Sequence, residues 1–182
     1  MSILIDAKTT FIVQGITGRE AVNLTRECLD YGEGARVVGG VTPGRLGRDV
    51  HGVPVFDTVK QAVEHHGGPI DGSVVTVPPA FTKDAVFEAI ENGIRLVVIV
   101  TERIPRADVA QMVELADARG VIKACVELGY DPAEKIAIFR IPGAWEEEGF
   151  KILEHYGVEY ADRSVSMNEA ARIAVEKIGA AA

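Results

Sequence analysis

Residues 11–32 read "FIVQGITGREAVNLTRECLDYG". The first part, "FIVQ", is a short β-branched and aromatic run of the kind that fits a strand. It enters a turn containing Gly15 and Gly18. Ala21, Leu24, Cys28 and Tyr31 then recur at helical spacing, and Gly32 supplies a stop. A strand, a glycine turn and an amphipathic helix in that order make a site where backbone N–H groups and the helix dipole meet an anion, above all a phosphate. The glycine spacing is Gly-x-x-Gly-x-x-Ala. It departs from the Gly-x-Gly-x-x-Gly fingerprint of nicotinamide and flavin dinucleotide sites.

The same alternation continues along the chain. "ARVVGGVTPG" (35–44) reads as a second strand with a Pro-Gly turn, and "VPVF" (53–56) as a short one. Asp57 is placed to cap a helix carrying Val59, Ala62 and Val63, closed by Gly67 and Gly68. "GSVVTVPPA" (72–80) is a strand stopped by Pro78 and Pro79. A helix follows from Thr82 to Asn92, with Gly93 as its cap. "IRLVVIVTE" (94–102) is the most apolar strand. Pro105 opens a helix whose face is Val109, Met112, Val113 and Ala116, ending at Gly120. Strands that are apolar throughout, alternating with helices, indicate a doubly wound parallel sheet covered on both faces.

Beyond Gly120 the expectation is a helix ("VIKACVELG"), a strand ("KIAIFRIPG"), a helix ("AWEEEGFKILEHYG", packing through Trp145, Phe150, Leu153 and Tyr156), a strand ("VEYAD") and a last helix. Ser166 and Glu169 form a capping box for that helix. The weakest boundaries lie near Gly120 and near "YDPAEK" (130–135).

Composition narrows the function classes. The chain has 182 residues, 47% hydrophobic and 25% charged, with 19 Lys plus Arg against 27 Asp plus Glu, a net charge of −8. That balance argues against nucleic acid or an anionic membrane as partner. No apolar run reaches the roughly 18 residues of a membrane span. "MSILIDAKTT" lacks a signal-peptide pattern, and Cys28 and Cys125 are expected as buried free thiols, so a cytoplasmic location is expected.

Ligands of open α/β sheets bind beyond the C-terminal ends of the strands. The loops at those ends are Gly15-Ile16-Thr17-Gly18 (with Arg19 beside it), Gly40-Val41-Thr42-Pro43-Gly44-Arg45, Val77-Pro78-Pro79-Ala80 (with Lys83 a turn later) and Thr101-Glu102-Arg103-Ile104-Pro105. The second strand ends in Gly39-Gly40 rather than in the acid that holds a bare ribose, and the next charges are Arg45 and Arg48. A cation there prefers a phosphorylated ribose. Coenzyme A carries a pyrophosphate and a 3′-phosphate and so suits both loops. Glu102 is an acid or base by chemistry, but its first expectation is to shape its loop.

His51, His65, His66 and His155 all fall outside the glycine-rich loops. Metal-ligand spacing and a Gly-x-Ser-x-Gly elbow are absent from the sequence. The acids of "AWEEEG" complement a helix N-terminus.

In these loops the sequence resembles the CoA-binding domain of the succinyl-CoA synthetase (succinate–CoA ligase) α subunit. "QGITG", "VGGVTPG", "GVPVFDTVKQAV", "VTVPPAF" and "TERIP" occur there in the same order, over about residues 1–120. The resemblance implies a Rossmann-like fold that binds CoA or acyl-CoA through Gly15, Thr17, Gly18, Pro43, Gly44, Val77, Pro78 and Thr101. The departures are Ala21, Arg45 and Arg103, where that family usually has Gly, Lys and Gly. The family's Gly-His-Ala-Gly phosphohistidine loop does not occur in the sequence.

Residues 121–182 are similar instead to the C-terminal end of the β subunit, which implies a flavodoxin-like αβαβα extension and contributes no catalytic residue. The resulting expectation is two domains, 1–120 and 121–182. The chain would be a CoA- or acyl-CoA-binding subunit of an acyl-CoA ligase complex, not catalytic by itself. It would depend on a second ligase-like subunit, a homo-oligomer, or both. The alternatives are a non-enzymatic CoA-responsive regulatory module and a dinucleotide-binding protein.

Overall fold

The computed structural model describes residues 5, 6, 8–31, 36–140 and 146–180. Gly32, Trp145 and the end of the "KIAIFRIPG" stretch lie outside the described residues. The chain divides into two compact units, Met1–Pro105 and Arg106–Ala182.

The first unit contains β1 (Thr10–Gln14), α1 (Arg19–Tyr31), β2 (Arg36–Val41), β3 (Asp49–Val50), β4 (Val53–Phe56), α2 (Val59–His66), β5 (Gly72–Val75), α3 (Pro79–Glu91) and β6 (Leu96–Ile99). The strands form one sheet in the order β3-β4-β2-β1-β5-β6. All pairs are parallel except β3 with β4, a short hairpin not anticipated from the sequence. His51 and Gly52, both at positive φ, make its turn. The chain moves outward from β1 in one direction through β2 and β4, then returns to the other side for β5 and β6. That reversal is the doubly wound arrangement, and it places a topological switch point at the C-terminal end of β1.

Period-two alternation on β1 sends neighbouring side chains to opposite faces. Ile12 joins a core with Val41, Phe56, Val59, Ala62, Ile70, Ala89 and Ile94, so α2 and α3 cover that face. Val13 joins Ile16, Ala21, Val50, Val53 and Val55, so the start of α1 covers the other. The expected two-sided burial fails at β6. Val98, Ile99 and Val100 are exposed, because β6 is an edge of the sheet.

Buried polar groups fix the registers. Gln14 is 2% exposed. Its amide Nε2 donates to the Ala85 carbonyl of α3 at 2.9 Å, and its Oε1 accepts from Ser73 of β5 at 2.7 Å. With both ends satisfied, the amide avoids a desolvation penalty of about 1–3 kcal/mol. At the opposite end of the sheet, Asp71 Oδ2 accepts from both the backbone N–H and the hydroxyl of Thr10. Gly72 is required by packing, since a Cβ there would stand 2.3 Å from the Phe11 ring.

The second unit contains α4 (Arg106–Glu127), α5 (Pro132–Lys135), β7 (Phe139–Arg140), α6 (Glu146–His155), β8 (Tyr160–Ala161) and α7 (Met167–Ala180). The helix expected to end at Gly120 runs through it. A mid-helix glycine costs about 1 kcal/mol, too little to break a long helix. The division between units accordingly falls at Pro105/Arg106. The described strands are shorter than expected, and β7 and β8 pair in parallel only with each other. Ala118, Ile122, Leu153 and Val158 form this unit's core. Phe150 stacks on Tyr160 at 3.9 Å between centroids. Half of the expected capping box is present. Ser166 Oγ accepts from Glu169 N, whereas the Glu169 carboxylate turns to Arg172.

Candidate functional site: the C-terminal edge of the first sheet

The turn after β1 is built by glycine. Gly15 has φ +84°, and a Cβ there would meet Thr76 Oγ1 at 3.0 Å and the Val77 backbone N at 3.2 Å. Only glycine satisfies both the left-handed backbone and that approach. The Gly15 N–H donates to the Val41 carbonyl at 2.7 Å, and the Gly18 N–H donates to the Gly15 carbonyl at 2.9 Å. The first intrahelical bond of α1 runs from Val22 N to the Gly18 carbonyl. The N–H groups of Arg19, Glu20 and Ala21 therefore precede the helical ladder and are donors for an external acceptor.

Ile16, expected among the cofactor-binding residues of this loop, is a core residue in the structure. It is 0% exposed and packs in the core with Val13 and Ala21. Gly40 makes this possible: a Cβ at Gly40 would lie 2.3 Å from Ile16 Cγ2 and 2.7 Å from its Cβ. The value of Gly40 was hidden in the sequence, because it depends on which residue faces β2 from the next loop.

The loop after β2 is held by two residues. Thr17 donates its hydroxyl to Thr42 Oγ1 at 3.3 Å, and Thr42 donates its own to the Val41 carbonyl at 2.8 Å. Asp57 does not cap α2; that cap is Thr58, whose hydroxyl accepts from Gln61 N at 3.2 Å. Asp57 reaches across instead, its Oδ1 accepting from Arg45 N at 3.0 Å and Leu46 N at 3.1 Å. Pro43, Gly44 and Arg45 are exposed, on a loop whose base is pinned.

Across the switch point, the loops after β5 and β6 are joined. Thr101 Oγ1 donates to the Val77 carbonyl at 2.7 Å. Buried Thr82 donates to the Pro78 carbonyl at 3.2 Å, and α3 begins at Pro79, earlier than expected, with proline in its first turn. The contacts Thr42–Thr17, Gly15–Val77 and Val77–Thr101 therefore chain all of these loops into one continuous edge. Arg19 and Glu102 are exposed and stand outside that chain of contacts, and Lys83 is half-buried on α3.

Reactive groups are scarce. Among the described residues, no group of three or more His, Cys, Asp or Glu is arranged to hold a metal. Cys28 is half-buried on α1 rather than fully buried. Burial and the neighbouring Glu27 push its thiol above the ordinary value, which makes it a poor nucleophile. The edge offers backbone N–H groups that precede the α1 ladder and an exposed cation at Arg45, with no hydrogen-bonded acid–base or nucleophilic pair seen there among the described residues.

The sequence profile of the family described as the CoA binding domain matches residues 6–103. The chain belongs to the CoA binding domain family. Curated relatives agree. The succinate–CoA ligase (ADP-forming) α subunit 1 of Archaeoglobus fulgidus is 50% identical over 108 residues, covering 59% of this chain and 36% of that protein. The malate–CoA ligase α subunit of Methylorubrum extorquens is 47% identical over 112 residues, covering 62% and 36%. A subunit of the ADP-forming sulfoacetate–CoA ligase of an Acholeplasma species is 49% identical over 105 residues, covering 58% and 34%.

This CoA binding domain chain spans about a third of the length of the curated relatives it matches. Their names support coenzyme A as its cofactor. Among solved structures, an ATP citrate lyase from Methanothrix soehngenii in complex with citrate and coenzyme A has a TM-score of 0.51 at 16% identity, over 84% of this chain and 30% of that one. D-galactose-1-dehydrogenase from Rhizobium etli has a TM-score of 0.52 at 14% identity, over 78% and 48%. At those identities both show the α/β fold alone. Among the described residues, no helix is long and apolar enough to cross a membrane.

Proposed function

We propose that this chain is the CoA- or acyl-CoA-holding subunit of an acyl-CoA ligase complex. The observation that carries the reading is the continuous edge from Arg45 through Thr42, Thr17 and Gly15 to Val77 and Thr101. On this reading the glycine turn and the first N–H groups of α1 take the pyrophosphate. Arg45, whose backbone Asp57 fixes, takes the 3′-phosphate. Pro43, Gly44, Val77, Pro78 and Thr101 line the path between, and Lys83 and Glu102 flank it.

On this reading the phosphoryl chemistry is supplied by a second chain, since the family's Gly-His-Ala-Gly loop does not occur in the sequence. The role of the chain is then binding and orientation: it fixes the thiol end of the cofactor for an acyl donor supplied by a second ligase-like subunit. The similarity of residues 121–182 to a β-subunit tail supports such a partner, or a second copy of the chain. The ligases whose subunits resemble it are named for succinate, malate and sulfoacetate.

Calorimetric titration with CoA and with 3′-dephospho-CoA tests the cofactor assignment. Loss of the 3′-phosphate is expected to weaken binding by roughly tenfold, the scale of one charge-assisted contact. Arg45→Glu is expected to erase that difference. Equal affinity of the unaltered chain for both compounds contradicts the role of Arg45. Formation of acyl-CoA by the chain alone, from acid, ATP and CoA, contradicts the division of labour.

A further inference from the structure

The first sheet ends differently on its two sides. One edge is β3, two residues long, antiparallel to its neighbour and carrying Asp49. Shortness and a charge are common means of closing an edge to further pairing. The other edge is β6, Leu96-Val97-Val98-Ile99, which continues into Val100. It has neither a charge nor a proline, and its register with β5 is unbroken from Gly72–Leu96 to Val75–Ile99. Among the described residues, no strand pairs with its outer side. Val98, Ile99 and Val100 are 42%, 39% and 54% exposed. Successive side chains alternate between faces, so apolar surface is open on both faces of this strand.

The hydrogen bonds to β5 show which backbone groups point away. Leu96 N donates to the Asp71 carbonyl and Val100 N to the Val75 carbonyl, both at 3.0 Å. Backbone groups alternate in direction along a strand. Leu96, Val98 and Val100 therefore turn theirs to β5, and Val97 and Ile99 turn theirs outward. Outward N–H and C=O groups on an apolar edge call for another strand. This edge matches itself. In an antiparallel copy centred on Val98, Val97 of each chain faces Ile99 of the other, so the outward groups meet. Leu96 then faces Val100, and Val98 faces Val98, so apolar residues meet apolar ones throughout. Arg95 and Glu102 are exposed and flank the strand at opposite ends. The antiparallel arrangement brings each Arg95 to the Glu102 end of the other chain, whereas a parallel copy would bring like to like.

We propose that β6 is the interface of a two-fold dimer of this chain. The two β6 strands pair antiparallel about Val98 and join the two sheets into one. The symmetry is the commonest among homo-oligomers, and the same patch serves both copies. The inference does not rest on the CoA reading above, since it uses the outer side of the sheet and not the loops at its C-terminal end.

Sedimentation velocity of the full chain from about 1 to about 100 µM tests it, a range suited to a small interface. The unaltered chain is expected to pass from monomer to dimer across that range. V98K sets two lysines opposite each other at the two-fold axis and is expected to weaken the dimer roughly tenfold. V98E is expected to do the same. An equimolar mixture of V98K and V98E is expected to recover a dimer with one copy of each, because opposite charges then meet at the axis. Val98 is exposed, so both variants are expected to keep the melting temperature of the unaltered chain. I99P removes an outward N–H and is expected to leave a folded monomer, since proline is tolerated on an edge strand. An unaltered chain that stays monomeric at about 100 µM overturns the proposal. So does a dimer that V98K and I99P leave intact, or a mixture of V98K and V98E no more associated than either variant alone.

Discussion

The two units of the chain use polar side chains differently. In Met1–Pro105, the side chains of Gln14, Thr17, Thr42, Asp57, Thr82 and Thr101 reach across to other loops or backbone groups and lock the C-terminal edge of the sheet. In Arg106–Ala182, the polar contacts are mostly exposed and local. Arg172 bridges Glu169 and Glu176 along one helix, and Lys177 meets Glu159. Bonds of the first kind order backbone donors before a ligand arrives. Bonds of the second kind hold a surface together and contribute little, about 0–1 kcal/mol per pair. The family match at residues 6–103 lies in the first of these two units.

Breaking the first unit should cost most at Gly40. Gly40→Ala forces its new Cβ into Ile16, which cannot move without leaving the core. A loss of about 1–3 kcal/mol is expected from overpacking, with the glycine turn displaced and CoA binding lost. Chemical denaturation and titration together check this. An unchanged midpoint would mean that the β1–α1 turn does not depend on that approach.

Asp57→Ala sharpens the comparison at smaller cost. It removes the acceptor for Arg45 N and Leu46 N on an exposed loop. About 1 kcal/mol or less of stability is expected to go. The larger effect is expected in the discrimination between CoA and 3′-dephospho-CoA, because the loop bearing Arg45 loses its support. A variant that lost stability but kept full discrimination would make Asp57 a purely structural residue.

The smallest effect is expected in the second unit. Arg172→Ala should shift the denaturation midpoint within the error of an exposed pair and leave CoA affinity unchanged. Acid should act in the same mild way. Hydrogen bonds to Ser164 hold the Asp162 carboxyl below its ordinary range, and Arg172 does the same for Glu169. A carboxyl lowered in the folded state stabilises it above the ordinary carboxylate pKa. That contribution fades as pH falls through the lowered value, so a weak loss is expected only below about pH 4. A pH titration of the melting temperature, run on the unaltered chain and on Arg172→Ala, reads it.

Much of the first unit was legible in the residues because local and global signals agree there. The β-branched run, Gly15 and the helical periodicity after it each point to the same strand–turn–helix. What was missed depends on neighbours distant in sequence. Asp57 and Thr58 are adjacent and both good helix caps, so nothing local says that the first crosses to the Arg45 loop while the second caps. Gln14 reads as an interruption in an apolar strand until Ser73 and Ala85 are seen beside it. Ile16 looks like a loop residue until Gly40 opens space for it. The exposure of β6 is a matter of strand order, which an apolar run does not encode. In the second unit, Gly120 was read as a stop although its cost is small against a long helix. The short strands there fall inside the expected "KIAIFRIPG" and "VEYAD" stretches, with two described residues in each.

The central claim is that the edge built around Gly15 holds coenzyme A rather than a nicotinamide dinucleotide. Thermal unfolding of the full chain with CoA, and separately with NAD, tests it most directly. At about 100 times its dissociation constant, CoA should add about 2.7 kcal/mol and raise the melting temperature, and NAD should leave it unchanged. Stabilisation by NAD without stabilisation by CoA would contradict the account.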